Sequence, residues 1–462
     1  METINHMKRI TKLVFAVALP FLGAAACGND LSGPKLDENP NLATQVRSPD
    51  QYFVAIQAAT WAVQEGALAR TAGIWHQHFA GVDRQYSSTD IYSVGEDDYS
   101  GEWNFIYAQG GLIDIRKLRD ITQKSGDRRY LGIAKIYEAY EIGTAASIWG
   151  DIPYSEANKD EISSPKLDKQ LDVYAALQTL LSSAITDLQA GVGRGPVGAD
   201  LVFGGNSAKW IAVARTLKAR FFMHTAEVNS GAYALANAEA KQGISSPAND
   251  YLAFHSALPT ENNIWSQFDY LIRDTYMRAG KALVDTMKGR GDARLTDDCA
   301  SGNWCAAYFN GTTGSAPGQN LSTASDIGDL RLFGPAEDLD FRQPLITWAE
   351  TQLIIAESAI RANNSAEALT AVNLVRVAAG NSPLAAATLQ QVAVEKYIAD
   401  FQNIEVWNTY KRTCLPRLTP APGKTVIPAR LVYPFVERNA NTNIPEPSAQ
   451  PARNQNDPNA CT

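Results

Sequence analysis

Cysteine and histidine are scarce in this 462-residue chain, five of each. No HExxH run and no paired CxxC occurs, so the usual ligand spacings of a zinc enzyme are missing. Five cysteines also exclude a miniprotein built on a disulfide framework. Neither sign of charge dominates: 41 basic side chains face 49 acidic ones, and a formal charge of −8 opposes binding to nucleic-acid phosphates. There is no GxSxG nucleophile elbow and no P-loop, nor any 34-residue sequence repeat. Core material, in contrast, is abundant. Nine Trp, eighteen Tyr and fifteen Phe in a composition that is 45% hydrophobic exclude a disordered chain. The length fits one large domain or two to three smaller ones.

The first segment carries the strongest local signal. Met7, Lys8, Arg9 and Lys12 form a short basic stretch, and Leu13 to Leu22 is an almost unbroken apolar run. A membrane-spanning helix needs roughly 20 apolar residues, and this run is shorter. Gly23-Ala24-Ala25-Ala26 and then Cys27 follow, which reads as a secretory signal peptide over residues 1–26. The small residues before Cys27 resemble the lipobox of bacterial lipoproteins, although Ala24 stands where Leu is usual. Lipidation of Cys27 is therefore expected, with several acyl chains giving a stable anchor. The alternative is an ordinary signal peptide that leaves Cys27 as a free thiol. Residues 27–49, polar and rich in Asn and Pro, read as a flexible tether. Residues 50–462 then form a single body.

Four further cysteines, Cys299, Cys305, Cys414 and Cys461, suggest two disulfides in an exported chain. Three connectivities are open. One closes the small loop Ala300–Trp304 and pins the C-terminal tail through Cys414 and Cys461; free buried thiols are the other reading.

Helical periodicity dominates the body. Val173, Leu177, Leu181, Ile185 and Leu188 recur at spacings of three and four, as do Trp210, Val213, Leu217, Phe221 and His224. Trp348–Arg361 and Ala366–Ala379, joined at Asn363-Asn364, have the dimensions of a helical-repeat hairpin, and a further helix carries Val394, Tyr397, Ile398, Phe401 and Ile404. The basic residues Lys209, Arg215, Lys218 and Arg220 read by default as a solvated helix face. Alternating strand patterns are short and few, so the fold is expected to be all-α with little β. Long Gly/Pro/Ser/Asn-rich stretches, at 190–206, 243–265, 296–345 and 415–462, read as loops and functional surface.

A helix from about Tyr130 runs into Gly150, which suits a left-handed helix end, and Pro153 prevents continuation. Physically, Gly150-Asp151-Ile152-Pro153-Tyr154-Ser155-Glu156-Ala157 is a structural corner. The same run resembles the hallmark of the SusD/RagB family of outer-membrane lipoproteins. The likeness continues in order: Trp103–Tyr107, Tyr130–Lys135, Gly205–Trp210, Leu217–Arg220, Ala349–Ala359, Asn373–Arg376, Glu395–Ile398, Glu405–Asn408, Lys411–Thr413 and Ile427–Arg430. Ala429 stands where a second Arg is common. The resemblance implies an α/α superhelix of TPR-like helical hairpins supporting a loop-rich face for ligand and partner. It implies a non-catalytic lipoprotein at the cell surface, anchored in the outer membrane. Such a protein captures oligosaccharides, or in some cases peptides, for a SusC-like TonB-dependent transporter. It implies no cofactor.

Sugar recognition needs flat apolar faces beside amide, carboxylate or guanidinium groups. Two stretches have that make-up: Trp75, Arg84, Tyr86 and Tyr92 in the first, and Trp265, Tyr270, Trp304 and Tyr308 in the second. Core packing of Trp75 with Phe79 is the competing reading. His76 and His78 could ligate a metal, but no third ligand is evident, so no metal is expected. Glu96-Asp97-Asp98 lacks EF-hand spacing and reads as a solvated charge run. Two other functions compete: a surface hydrolase acting on glycans or peptides, which needs two converging carboxylates, and a helical-repeat assembly scaffold with no small ligand.

Overall fold

The computed structural model describes residues 48–295, 308–327 and 339–461. Cys27, Cys299, Trp304 and Cys305 lie outside the described residues. Tyr270 is described in its backbone only.

The body opens with α1 (Pro49–Glu65), α2 (Ala67–Trp75), strand β1 (Phe79–Gly81), α3 (Arg84–Asp90) and α4 (Ser100–Tyr107). Then come α5 (Leu112–Ser125), α6 (Arg128–Trp149), α7 (Gln170–Ala190), α8 (Ser207–Thr225) and α9 (Ala232–Ala240). β2 (Tyr251–Leu252), a π-helical turn (Ser266–Ile272), β3 (Met277–Ala279) and α10 (Lys281–Arg290) follow. The chain continues through β4 (Pro344–Ile346), α11 (Trp348–Arg361), α12 (Ser365–Ala378), α13 (Leu389–Ala399), α14 (Glu405–Thr413) and α15 (Phe435–Ala440). These strands pair only two by two, β1 with β3 and β2 with β4, both antiparallel. The fold is all-α.

Successive helices pack on one another: α5 on α6, α6 on α7, α7 on α8, α8 on α9, α9 on α11, and α11 on α12. The result is an α/α superhelix of TPR-like hairpins. Local chemistry sets the helix starts. Asn206 accepts from the amides of Ala208 and Lys209, Thr347 from Glu350, and Thr388 forms a capping box with Gln391; each such cap contributes roughly 1 kcal/mol. α6 is the axis of the body, buried at every residue from Tyr130 to Trp149, as expected of a helix with no polar face to give to water. Gly143 permits its close approach to α8: a Cβ there would sit 2.2 Å from the ring of Phe221.

Two sequence-based expectations change here. The basic face of α8 is not solvated. Arg220 is buried and bidentate on Glu350, with both contacts at 2.6 Å, while Arg215 and Lys218 share Glu239 at 2.6 Å each. The helix expected over Val394–Ile404 ends at Ala399, and Phe401 and Ile404 lie in the turn before α14. There Asp400 accepts from Lys396 and from the Thr409 hydroxyl, fixing the corner.

The Gly150 turn has positive φ (85°) with ψ −114°, so it is not the left-handed helical cap. Asn454 fills the space where a Cβ would stand, its Oδ1 2.4 Å from that position. Around the turn, Asp151 accepts from the Gln170 amide at 2.9 Å, Asp168 accepts from the amides of Tyr154 and Ser155, and the Tyr154 hydroxyl donates to Glu138 at 3.1 Å. Arg116 donates to the carbonyls of Tyr154 and Ala157. The motif is thus consumed in building a corner. The C-terminal tail closes over it: Cys414 and Cys461 are joined, and Lys411 bonds the Ser147 carbonyl at 2.8 Å and pairs with Asp457 at 2.9 Å.

Gly143→Ala should lower the unfolding free energy by about 1–3 kcal/mol through overpacking against Phe221. Phe221→Leu in that background should recover part of the loss. Urea denaturation of the three variants checks both.

Candidate functional site

The loop-rich face is organised by the β1–β3 ribbon, whose register pairs Phe79 with Ala279 and Gly81 with Met277. The ribbon brings α3 beside the segment that leaves the π-helical turn: the Val82 amide donates to the Tyr276 carbonyl at 2.9 Å. Asp90, at the end of α3, ties the face together. Its two oxygens accept from the Gly81 amide at 3.1 Å and from the Gly318 amide at 2.5 Å. Burial pushes its carboxyl up to about 6, against the pull of those two amides.

Beneath the face lies an aromatic floor. Arg70 donates to the Tyr86 hydroxyl at 2.7 Å and stacks over Phe268 at 4.0 Å, and Tyr86 packs on Phe268 with centroids 5.2 Å apart. The side chains that reach solvent are different ones. Arg84 and Gln85 are exposed, Asp83 contacts Thr275, Tyr92 is half-buried, and Leu271 and Ile272 are 52% and 60% exposed. Arg84 touches Asp83 only loosely, at 3.6 Å. A guanidinium, a carboxylate and apolar surface therefore stand on one loop-built face, a combination suited to hydroxyl-rich ligands.

Four of the sequence candidates do not present a ring to solvent. Trp75 is buried, stacks on Trp407 at 5.0 Å and donates its indole N–H to the Thr89 carbonyl. Phe79, weighed as its core partner, is in β1 and equally buried. Trp265 is sealed against Phe79, and Tyr86 lies in the floor just described. Tyr308 is buried and stacks on Phe401, with centroids 4.1 Å apart. Loops that fold back onto the core bury their aromatics, and residue type alone does not separate that case from an exposed arc. Among the candidates whose side chains are described, Arg84 and Tyr92 have solvent access; the Tyr92 hydroxyl accepts from the Ala421 amide. The exposed Leu271–Ile272 pair was not singled out from sequence. Its signal is an apolar run, Tyr270-Leu271-Ile272, just past the 243–265 stretch read as loop.

The histidines are packing residues. His76 Nδ1 donates to the Ala72 carbonyl and His78 Nε2 to the Tyr397 carbonyl, both at 2.8 Å. Burial holds them down at about 4 and about 3, so both are neutral at pH 7. Among the described residues no group of three His, Cys, Asp or Glu side chains could hold a metal ion. Glu96 is bidentate on Arg438, 2.7 Å at each oxygen.

Burial also raises Asp250 and Glu227 to about 7 and Asp400 to about 6, and two further raised carboxyls lie sealed in the interior. Burial raises Asp269, on the π-helical turn, well above the carboxylate range despite Arg70 and Arg278 nearby, and raises Glu141, on α6, to about 8 against Thr60 and Gln64. Neither faces a cleft.

The family model described as "Starch-binding associating with outer membrane", SusD-like_2, matches residues 41–374. No curated protein matches the chain. Solved structures share its fold. A SusD/RagB family protein from Bacteroides thetaiotaomicron aligns with TM-score 0.71 at 19% identity, covering 86% of this chain and 95% of the other. A chitin-binding SusD homolog from Flavobacterium johnsoniae aligns with TM-score 0.70 at 18% identity, covering 88% and 99%.

Trp75→Ala should cost about 3–5 kcal/mol of stability, a cavity effect visible in urea melts. For Glu141, the unfolded chain ionises near the ordinary value of 4.5 while the fold holds the proton to about 8. The stability that goes with the neutral acid is complete below pH 4.5 and is lost as pH rises toward 8. Glu141→Gln should therefore gain melting temperature relative to wild type as pH goes from 5 to 8; a constant difference across that range would contradict the assignment. With the superhelix, the loop-built face and the family match in agreement, the chain belongs to the SusD-like family.

Proposed function

We propose that this chain is a non-catalytic nutrient-binding lipoprotein of the outer membrane, anchored through Cys27. In this reading it captures an oligosaccharide on its loop-built face and delivers it to a SusC-type TonB-dependent transporter. The observation that carries the reading is the match over residues 41–374 to a family described as starch-binding and associated with the outer membrane. The N-terminal run of basic, apolar and small residues before Cys27 supports export and anchoring. No helix among the described residues is long and apolar enough to cross a membrane, which is compatible with an anchor made of lipid. Arg84 and Tyr92, with the exposed Leu271 and Ile272, are the side chains proposed to meet the ligand. The chitin-binding relative makes chitin oligosaccharides the first ligands to try, starch oligosaccharides the second and peptides the third.

Isothermal titration against these three pools, with chromatography of the same samples, tests the reading. Saturable binding to one pool without new products is expected; product formation would overturn non-catalytic capture in favour of a hydrolase. Arg84→Ala should weaken that binding about tenfold or more, the loss of one charge-assisted hydrogen bond. Because Arg84 is exposed, the melting temperature should not change.

A further inference from the structure

A second pocket, of about 380 Å³, opens beside the Gly150–Asp151 corner. None of its lining residues belongs to the loop-built face. Three cations line it: Lys169, Arg430 and Arg453. Lys169 is paired with Asp151 at 2.7 Å. The two arginines have no such partner. Arg430 donates to the Trp149 carbonyl at 2.9 Å, to the Gln450 side chain at 3.2 Å and to the Pro451 carbonyl at 3.4 Å, and its Nη2 is buried with no hydrogen-bond acceptor among the described residues. Arg453 donates to two backbone carbonyls, those of Asp457 and Asn459. Glu227 and Asp457 attract Arg453 from a distance, but the Asp457 carboxylate is engaged by Lys411 at 2.9 Å.

A guanidinium withdrawn from water without a carboxylate, as Arg430 is, is unusual in an acidic protein, because a buried charge is costly unless it is paired; Arg453 beside it is half-buried. The fork of Arg430 is also held in place: it lies over the Tyr433 ring, 4.5 Å from the centroid. A planar donor fork with a free arm is matched to a carboxylate. The remaining lining is of two kinds. Leu167, Pro445 and Pro451 offer apolar surface, and Asn454 and Gln455 offer amides, with Asn454 Oδ1 buried and unpartnered. The volume falls within the range of small-molecule sites, about 300–1,000 Å³.

We propose that this pocket binds a sugar acid. Its carboxylate is taken by Arg453 and the free arm of Arg430, its ring lies against Leu167 and the prolines, and its hydroxyls meet Asn454 and Gln455. The acid is either a free hexuronate or the acidic end of an oligosaccharide. The proposal does not depend on what the loop-built face binds.

Titration of the purified protein with galacturonate, galactose, tetragalacturonate and sulfate at matched ionic strength tests it. Saturable binding of galacturonate is expected, at least tenfold tighter than galactose, with a rise in melting temperature on saturation. Arg453→Gln should weaken it tenfold or more while the unliganded protein stays folded, as its melting curve shows. Arg430→Lys, which retains the charge and loses the fork, should also weaken it. Tetragalacturonate competing with galacturonate would assign the site to a chain end, and failure to compete would assign it to the free acid. Equal binding of galactose, equal displacement by sulfate, indifference to Arg453→Gln, or no binding of galacturonate would each overturn the proposal.

Discussion

The guanidinium of Arg220, only 3% exposed, is gripped by both oxygens of Glu350 and lies 3.8 Å from Glu405, which also accepts from His224 at 3.0 Å. Helices α8, α11 and α14 meet in this one sealed polar joint. Against the cost of burial, His224 and Arg220 hold the Glu405 carboxyl well below its ordinary range. Leaving one partner of such a set alone in the interior costs about 3–5 kcal/mol, which is why the helices cannot slide or rotate independently. The same device recurs. Arg412 is bidentate on Glu357, joining α14 to α11, and Arg290, Arg294 and Arg376 converge on Glu395 of α13. Apolar burial drives the hairpins together; these pairs set their register.

This explains what the collinear motifs are for. Arg220, Glu350, Glu357, Arg376, Glu395, Glu405, Lys411 and Arg412 all sit in segments whose order along the chain resembled the family, and all are buried in ion pairs. The Gly150–Ala157 run is spent likewise on a corner, over which the tail is fastened through Asn454, Asp457 and the Cys414–Cys461 link. The loop-built face proposed to meet the nutrient lies outside these joints. Such a division suits a capture protein: a rigid frame holds loops whose side chains can vary without endangering the fold.

Helices whose apolar residues repeat at three and four were legible in the sequence, α7, α8, α11 and α12 among them, because one dominant face must be buried whatever lies opposite; α6 was legible from its end at Gly150 and Pro153. The break between α13 and α14 was not, because the apolar period runs on through Phe401 and Ile404 and only the partners of Asp400, supplied by tertiary structure, end the helix. The burial of Arg220 was invisible for the same reason: its partner lies 130 residues away. The ligand face was the least legible part. Trp75, Tyr86, Trp265 and Tyr308 have the right chemistry for sugar stacking and instead fill the floor and core under the face. Exposure of a loop aromatic depends on how the loop packs, a non-local property that composition does not encode.

The central claim is that the motif residues are committed to holding the hairpins in register. A double-mutant cycle on Arg220→Met and Glu350→Leu, read by urea unfolding, tests it most directly. The account predicts a loss of about 3–5 kcal/mol for each single variant and, for the double variant, a loss well below their sum, because neither charge is then left alone. Single losses under about 1 kcal/mol, or losses that add, would contradict it and reduce the joint to an incidental contact.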